Sequence, residues 1–213
     1  MRVLRRGLLA TTICLAVSVF LSAGVSHAKK GGSKIKVEVE AELEPCGAVA
    51  AATSPCAPSG TPPESDAEGK AEHKKETHKG VIKKDEFKGK VKIPVDPASA
   101  LGIVDEDAAE GADIRLILSH ADGPGSFTDF AECRLAFDEI EEEDDDDEVQ
   151  AEYKVDVRIK KGAVQAKKGV CHINLATTAE LGVPDARAGD LVTATLITGG
   201  TRTDFLQGTF DLD

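Results

Sequence analysis

Ile35, Val37, Val39, Ala41 and Leu43 alternate with Lys36, Glu38, Glu40, Glu42 and Glu44, so this segment has one apolar side and one charged side. A period of two marks a β-strand with one face in a core and the other in water. The alternation recurs at Phe87, Val91, Ile93 and Val95, at Ile114, Leu116 and Leu118, at Tyr153, Val155, Val157 and Ile159, and at Leu206, Phe210 and Leu212. Residues 70–77 and 191–197 are further strand candidates with a less regular pattern. No stretch sustains a 3.6-residue apolar period, and the only helical turn expected lies at residues 177–181. Short strands with Gly-rich turns and no helices between them predict an all-β fold, an antiparallel β-sandwich of immunoglobulin-like general architecture.

Two excursions interrupt this pattern. Residues 45–66 hold five of the nine prolines and form a long exposed loop. Residues 140–149 form a second loop around the unbroken acidic run Glu141, Glu142, Glu143, Asp144, Asp145, Asp146, Asp147 and Glu148. Like charges at that density repel and stay solvated. The sandwich domain is expected over residues 34–213, after a short linker at residues 29–33. Within it Ala71-Glu72-His73-Lys74 recurs as Ala151-Glu152-Tyr153-Lys154, and Leu101-Gly102-Ile103-Val104-Asp105 recurs as Leu181-Gly182-Val183-Pro184-Asp185, both at an offset of 80 residues. Thr128-Asp129-Phe130 returns as Thr203-Asp204-Phe205. Such an internal repeat would build the fold from two duplicated halves.

The beginning of the chain changes the compartment. Arg2, Arg5 and Arg6 precede a charge-free apolar run from residue 7 to residue 24, and Val25-Ser26-His27-Ala28 offers a cleavage site. Residues 1–28 therefore read as a secretory signal peptide, and the run is too short for a transmembrane anchor. No later segment is apolar enough to span a bilayer, so a periplasmic or secreted product is expected. In an oxidising compartment the four remaining cysteines, Cys46, Cys56, Cys133 and Cys171, form disulfides. Three pairings are open to them. Cys46 with Cys56 would close the proline-rich loop, while Cys133 alternates with Leu135 and Phe137 and Cys171 with Ile173 and Leu175, so that Cys133 with Cys171 would join two strands through their apolar faces. No cysteine pair has zinc-ligand spacing.

Charge excludes one class of partner. The chain of 213 residues carries 26 basic and 38 acidic side chains, a formal charge of -12. Without the leader the balance is 23 to 38, or -15. A nucleic-acid partner loses its electrostatic footing, and anionic membrane surfaces are disfavoured on the same ground. Catalytic patterns are missing: there is no G-x-S-x-G, no H-E-x-x-H and no phosphate loop. His73 and His78 lie an odd number of residues apart and would face opposite ways on one strand. His120, in Ser119-His120-Ala121-Asp122-Gly123, reads as a solvated turn residue, and His172 points away from its core neighbours. The acidic run lacks both the ligand alternation and the Gly of a calcium loop, so no metal site and no cofactor are expected. The nine lysines between residues 70 and 92 could attract that run across the surface.

Asp190-Leu191-Val192 and Leu206-Gln207-Gly208-Thr209-Phe210 resemble the closing strands of exported bacterial β-sandwich proteins of unassigned function. The resemblance implies the fold and says nothing of activity. The expected function is a non-catalytic secreted or periplasmic binding or structural module, whose partner is a protein or a cell-envelope component. The alternatives are a calcium- or cation-binding envelope protein and an unrecognised extracytoplasmic hydrolase.

Overall fold

Alternation carries the chain into antiparallel strands over most of the residues that this computed structural model describes, which are 34–46, 56, 66–123, 126–142 and 149–213. The signal peptide and linker readings lie outside the described residues. The strands are β1 (Lys34–Pro45), β2 (Glu68–His78), β3 (Val81–Pro94), β4 (Asp113–Gly123), β5 (Ser126–Arg134), β6 (Ala136–Glu142), β7 (Val149–Lys160), β8 (Ala163–Lys168), β9 (Val170–Ile173), β10 (Glu180–Leu181), β11 (Leu191–Thr198), β12 (Thr201–Thr209) and β13 (Asp211–Leu212). One short helix, α1 (Glu106–Gly111), precedes β4. The fold class is all-β and antiparallel, as the periodicity predicts.

The strand path runs β10-β9-β5-β4-β11-β12-β1-β2-β3-β7-β6, with β13 beside β1 and β8 beside β7. β1 joins its two wings. Residues Lys34 to Leu43 pair with β2, whereas Glu44 and Pro45 pair with Gln207 and Leu206 of β12. The wings bury their apolar faces in a single cluster that takes Val39, Ala41 and Phe87 from one side and Leu116, Leu118 and Leu206 from the other. Gly89 shows how closely they approach. A Cβ at this position would lie 2.4 Å from the Leu116 side chain and 3.0 Å from that of Val155, so β4 crosses β3 where the side chain is missing.

Two disulfides pin the described fold. Cys133 and Cys171 face each other in the β5–β9 register with Cα atoms 4.0 Å apart, both buried. Cys46 bonds Cys56 and closes the loop that leaves β1. Among the described residues no helix is long and apolar enough to cross a membrane.

Several sequence readings need correction. The helix forms at Glu106–Gly111, where the Asp105 carboxylate accepts the Ala108 N–H at 2.8 Å as an N-cap and Glu106 and Asp107 favour the first turn. Residues 177–181 form no helical turn: Thr177 N–H closes a turn on Asn174 O at 3.0 Å, and Glu180–Leu181 are β10. The Cys133, Leu135, Phe137 alternation spans two strands: β5 ends at Arg134, Leu135 donates to Ile114 O, and Phe137 starts afresh in β6. The second excursion is shorter than expected, because Ile140, Glu141 and Glu142 belong to β6 and Val149 opens β7. The first excursion likewise begins after Pro45, which closes β1. Leu206 and Phe210 are buried as their parity predicts, but Leu212 on β13 is exposed.

The segments matched at the 80-residue offset fall in β2 and β7, and in the loop before α1 and at β10. Their surroundings differ, since β2 lies between β1 and β3 while β7 pairs with β3, β6 and β8.

Gly89→Ala should lower stability by about 1–3 kcal/mol, the usual cost of overpacking a tight core position. Urea unfolding checks this, and an unchanged midpoint would mean that β3 and β4 are not in close contact.

Candidate interaction surface

On the β1-β2-β3-β7 wing the outward parity is charged on every strand, and the register assembles those positions into rows. One row reads Glu42, Lys70, Lys90, Lys154 and the next Glu40, Glu72, Lys88, Asp156. Three lysines in line would repel one another. Carboxylates offset this: Lys70 meets Glu40 and Glu42, Lys90 and Lys154 both meet Glu152, and Lys154 also reaches Asp138 at 2.8 Å. These lysines, with Lys88, Lys167 and Lys168, line a shallow depression of about 450 Å³. Lys167 pairs with Asp156 at 2.9 Å, and Lys168 pairs with Asp138. The face is thus an ion-pair lattice whose charges are already matched within the chain.

Glu152 is its most buried member. Burial alone would raise its carboxyl, but Lys154 and Lys90 outweigh burial and hold it below the ordinary carboxylate range. Glu86 behaves alike, with burial opposed by Lys84 and Lys88. At the exposed rim Lys36 and Lys74 hold Glu38 at about 2. Asp138, Glu139 and Glu152 bring carboxylate oxygens within 4.8 Å of one another. The ammonium groups of Lys90, Lys154 and Lys168 already lie on Asp138 and Glu152.

Of the acidic run, Glu143, Asp144, Asp145, Asp146, Asp147 and Glu148 lie outside the described residues. Glu141 and Glu142 sit on β6 opposite Gln150 and Val149, and Glu141 accepts an ion pair from Lys92 at 2.8 Å. One contact of the expected kind, between this run and the lysines of residues 70–92, therefore forms.

The histidines take structural positions. His73 is fully buried and bridges Ala186 O through Nδ1 at 3.0 Å and Asp85 Oδ1 through Nε2 at 2.9 Å. With a carbonyl as its partner, Nδ1 donates to Ala186 O, and Nε2 faces the Asp85 carboxylate. His73 shares the apolar parity of Ala71, and Asp85 shares that of Phe87. Two ionisable residues on core parities of neighbouring strands were the signal that sequence reading passed over. His120 is not a turn residue: it lies in β4, stacks on Phe130 with ring centroids 3.9 Å apart, and bonds Asp190 at 2.8 Å. Its neighbour Ser119 donates to Asp129 at 2.6 Å rather than to a histidine. His172 pairs in register with Glu132 and is half-buried, and His78 lies on β2 opposite Val81.

The inner face of the same wing extends past its cover. From the Val39, His73, Phe87, Val157 row inward the residues are buried. In the next row Asp85 stays buried and Ile159 half-buried, but the aliphatic side chains at its two ends are open, with Val37 39% and Val164 42% exposed, as are Ile35 at 57% and Ile82 at 46% in the row after it. Leu212, beside Val39, is 73% exposed. Lys75 crosses this ledge to the exposed Asp185 at 2.7 Å, where the partial desolvation of the carboxyl is outweighed by Lys75 and the group lies below the usual range. The ledge joins two hairpin tips and the start of β1 at one end of the sheet. Sequence reading placed Ile35, Val37 and Leu212 on apolar strand faces, because parity records which face a residue takes and not whether that face is covered.

Comparison of the chain with protein-family models, with curated proteins and with solved structures finds no match.

Because Glu152 and Glu86 are held low in the folded state, the stability they contribute is fully present above the ordinary carboxylate value of about 4.3 and is lost as pH falls through their folded values. The urea midpoint should be level from about pH 7 to pH 5 and fall below about pH 4, and Glu152→Gln should flatten that fall. A Gln variant with the same acid limb as the wild type would contradict the assignment.

Proposed function

We propose that the chain is a non-catalytic extracytoplasmic binding module whose contact surface is the uncovered end of the β1-β2-β3-β7 wing. Two disulfides favour an oxidising compartment, in agreement with the leader read in the sequence. The side chains that could have served catalysis are committed elsewhere: His73 to Asp85 and Ala186, His120 to Asp190, and Ser119 to Asp129. The observation that carries the reading is the run of Ile35, Val37, Ile82, Val164 and Leu212, exposed on the sheet face that elsewhere forms the core. Several exposed aliphatic side chains gathered on one face of a folded domain, rimmed by polar residues, support an interaction site there. The partner is a protein or a component of the cell envelope.

Fractionation of an export host tests this. Wild-type chain should partition with the envelope, and the combined variant Ile35→Ser, Ile82→Ser, Val164→Ser should move to the soluble extracytoplasmic fraction with unchanged disulfides. Equal distribution of the two forms would contradict the reading.

A further inference from the structure

Two hairpins end at the same edge of the first wing and are built alike. Lys79-Gly80 joins β2 to β3, and Lys161-Gly162 joins β7 to β8. All four turn residues are left-handed, with φ of 51° and 75° in one tip and 55° and 77° in the other. Both are therefore two-residue turns of the type that suits strand twist, with glycine supplying the second left-handed position. The Asp85–Ile159 pair closes the β3–β7 ladder, so the tips are neighbours, and Lys34 opposite His78 brings the start of β1 to the same place.

The charge at this end is opposite to that of the molecule. Lys79, Lys83, Lys160 and Lys161 are exposed and make no ion pair among the described residues. The acids close to the tips each have a partner: Glu76 pairs with Lys34, Glu86 with Lys84 and Asp185 with Lys75, and Asp85 is hydrogen-bonded to the His73 ring. Asp211 and Asp213 lie further along β1, level with Glu40 and Glu38. Among the free lysines stand Val81 at 55% exposure and Ile82, with Ile35 and Val164 to either side. A chain of formal charge -12 thus ends in aliphatic tips ringed by uncompensated ammonium groups.

We infer that these two tips dock the protein on an anionic lipid bilayer surface, with Val81 and Ile82 entering the headgroup boundary and Lys79, Lys83, Lys160 and Lys161 meeting lipid phosphates. The inference rests on the reading of this end as the contact surface and gives that surface its partner. Lysine stems can lie along an apolar boundary while their ammonium groups stay in the polar layer, which is how basic and aliphatic side chains share an interface. Projecting tips suit a deformable plane better than a shaped protein pocket. A second copy of the chain would bring the same free lysines against one another. Net charge misleads here, because a bilayer meets the nearest face and screening removes the rest within about 10 Å.

Vesicle co-sedimentation of the disulfide-bonded chain tests this, using phosphatidylglycerol and phosphatidylcholine in equal amounts against phosphatidylcholine alone. Wild type should pellet with the anionic vesicles only, and less as salt is raised. Each lysine near an anionic surface is worth about fivefold in affinity, so K79E/K83E/K160E/K161E should lose on the order of a hundredfold or more. V81S/I82S should lose about tenfold. K83E/K160E alters strand positions only and provides a milder charge reversal, and thermal unfolding confirms that each variant is folded. Wild type left in the supernatant with anionic vesicles at low salt would overturn the inference, as would undiminished binding by the folded fourfold variant. Soluble polyglutamate binding as tightly as the vesicles, with no effect of V81S/I82S, would overturn it in favour of an acidic polymer. Failure on vesicles with envelope partition intact would remove the lipid assignment and leave the binding-module reading standing.

Discussion

The buried hydrogen bond between His73 and Asp85 marks the line where the hydrophobic core stops, and the rest of the molecule is organised around that line. On one side the inner face of the first wing is fully covered, and Phe87, Val91 and Tyr153 pack against the second wing and α1. On the other side the strands continue for two more rows without cover. An ionisable pair can occupy such a boundary because each member satisfies the other and Ala186 O takes the remaining ring N–H. Removing one partner would leave the other buried and unpaired, which costs about 3–5 kcal/mol, so the pair holds the 183–187 segment against β2.

Two kinds of electrostatics follow from the length of those strands. Over the covered part the outer face is a lattice of matched charges, and Glu152 at its centre shows how far the lysines around a carboxylate outweigh the cost of burying it. Beyond the cover the matching fails, and lysines stand free among aliphatic side chains. The first arrangement stabilises the sheet and leaves little charge to offer a ligand. The second leaves both charge and apolar area exposed in one place, which is the combination a partner can use.

Much of the fold was legible because alternation and parity are local properties. Ile35 to Leu43 announced β1, and the apolar parities of β3, β4 and β7 were read at the right residues. What alternation cannot record is where one strand gives way to another: the Cys133, Leu135, Phe137 series keeps its parity while the chain passes between wings. A six-residue helix is too short to show a period, so α1 was marked only by its Asp105 cap. The candidate surface was hidden for a different reason. Ile35 has core parity and is exposed only because the opposing wing does not reach it, whereas Ile82 has the parity opposite to Phe87 and comes to this face through the bulge between Lys84 and Ile82. The free lysines come from hairpins about 80 residues apart, and a net charge taken over the whole chain conceals their meeting at one edge.

Hydrogen exchange of backbone amides with and without anionic vesicles tests the account most directly, because it reads location rather than affinity. Added protection is expected only at residues 79–84, 160–164 and the start of β1, with the outer face around Lys90 and Lys154 and the second wing unchanged. Protection centred on that outer face, or spread over β4, β11 and β12 with the tips unaffected, would contradict it.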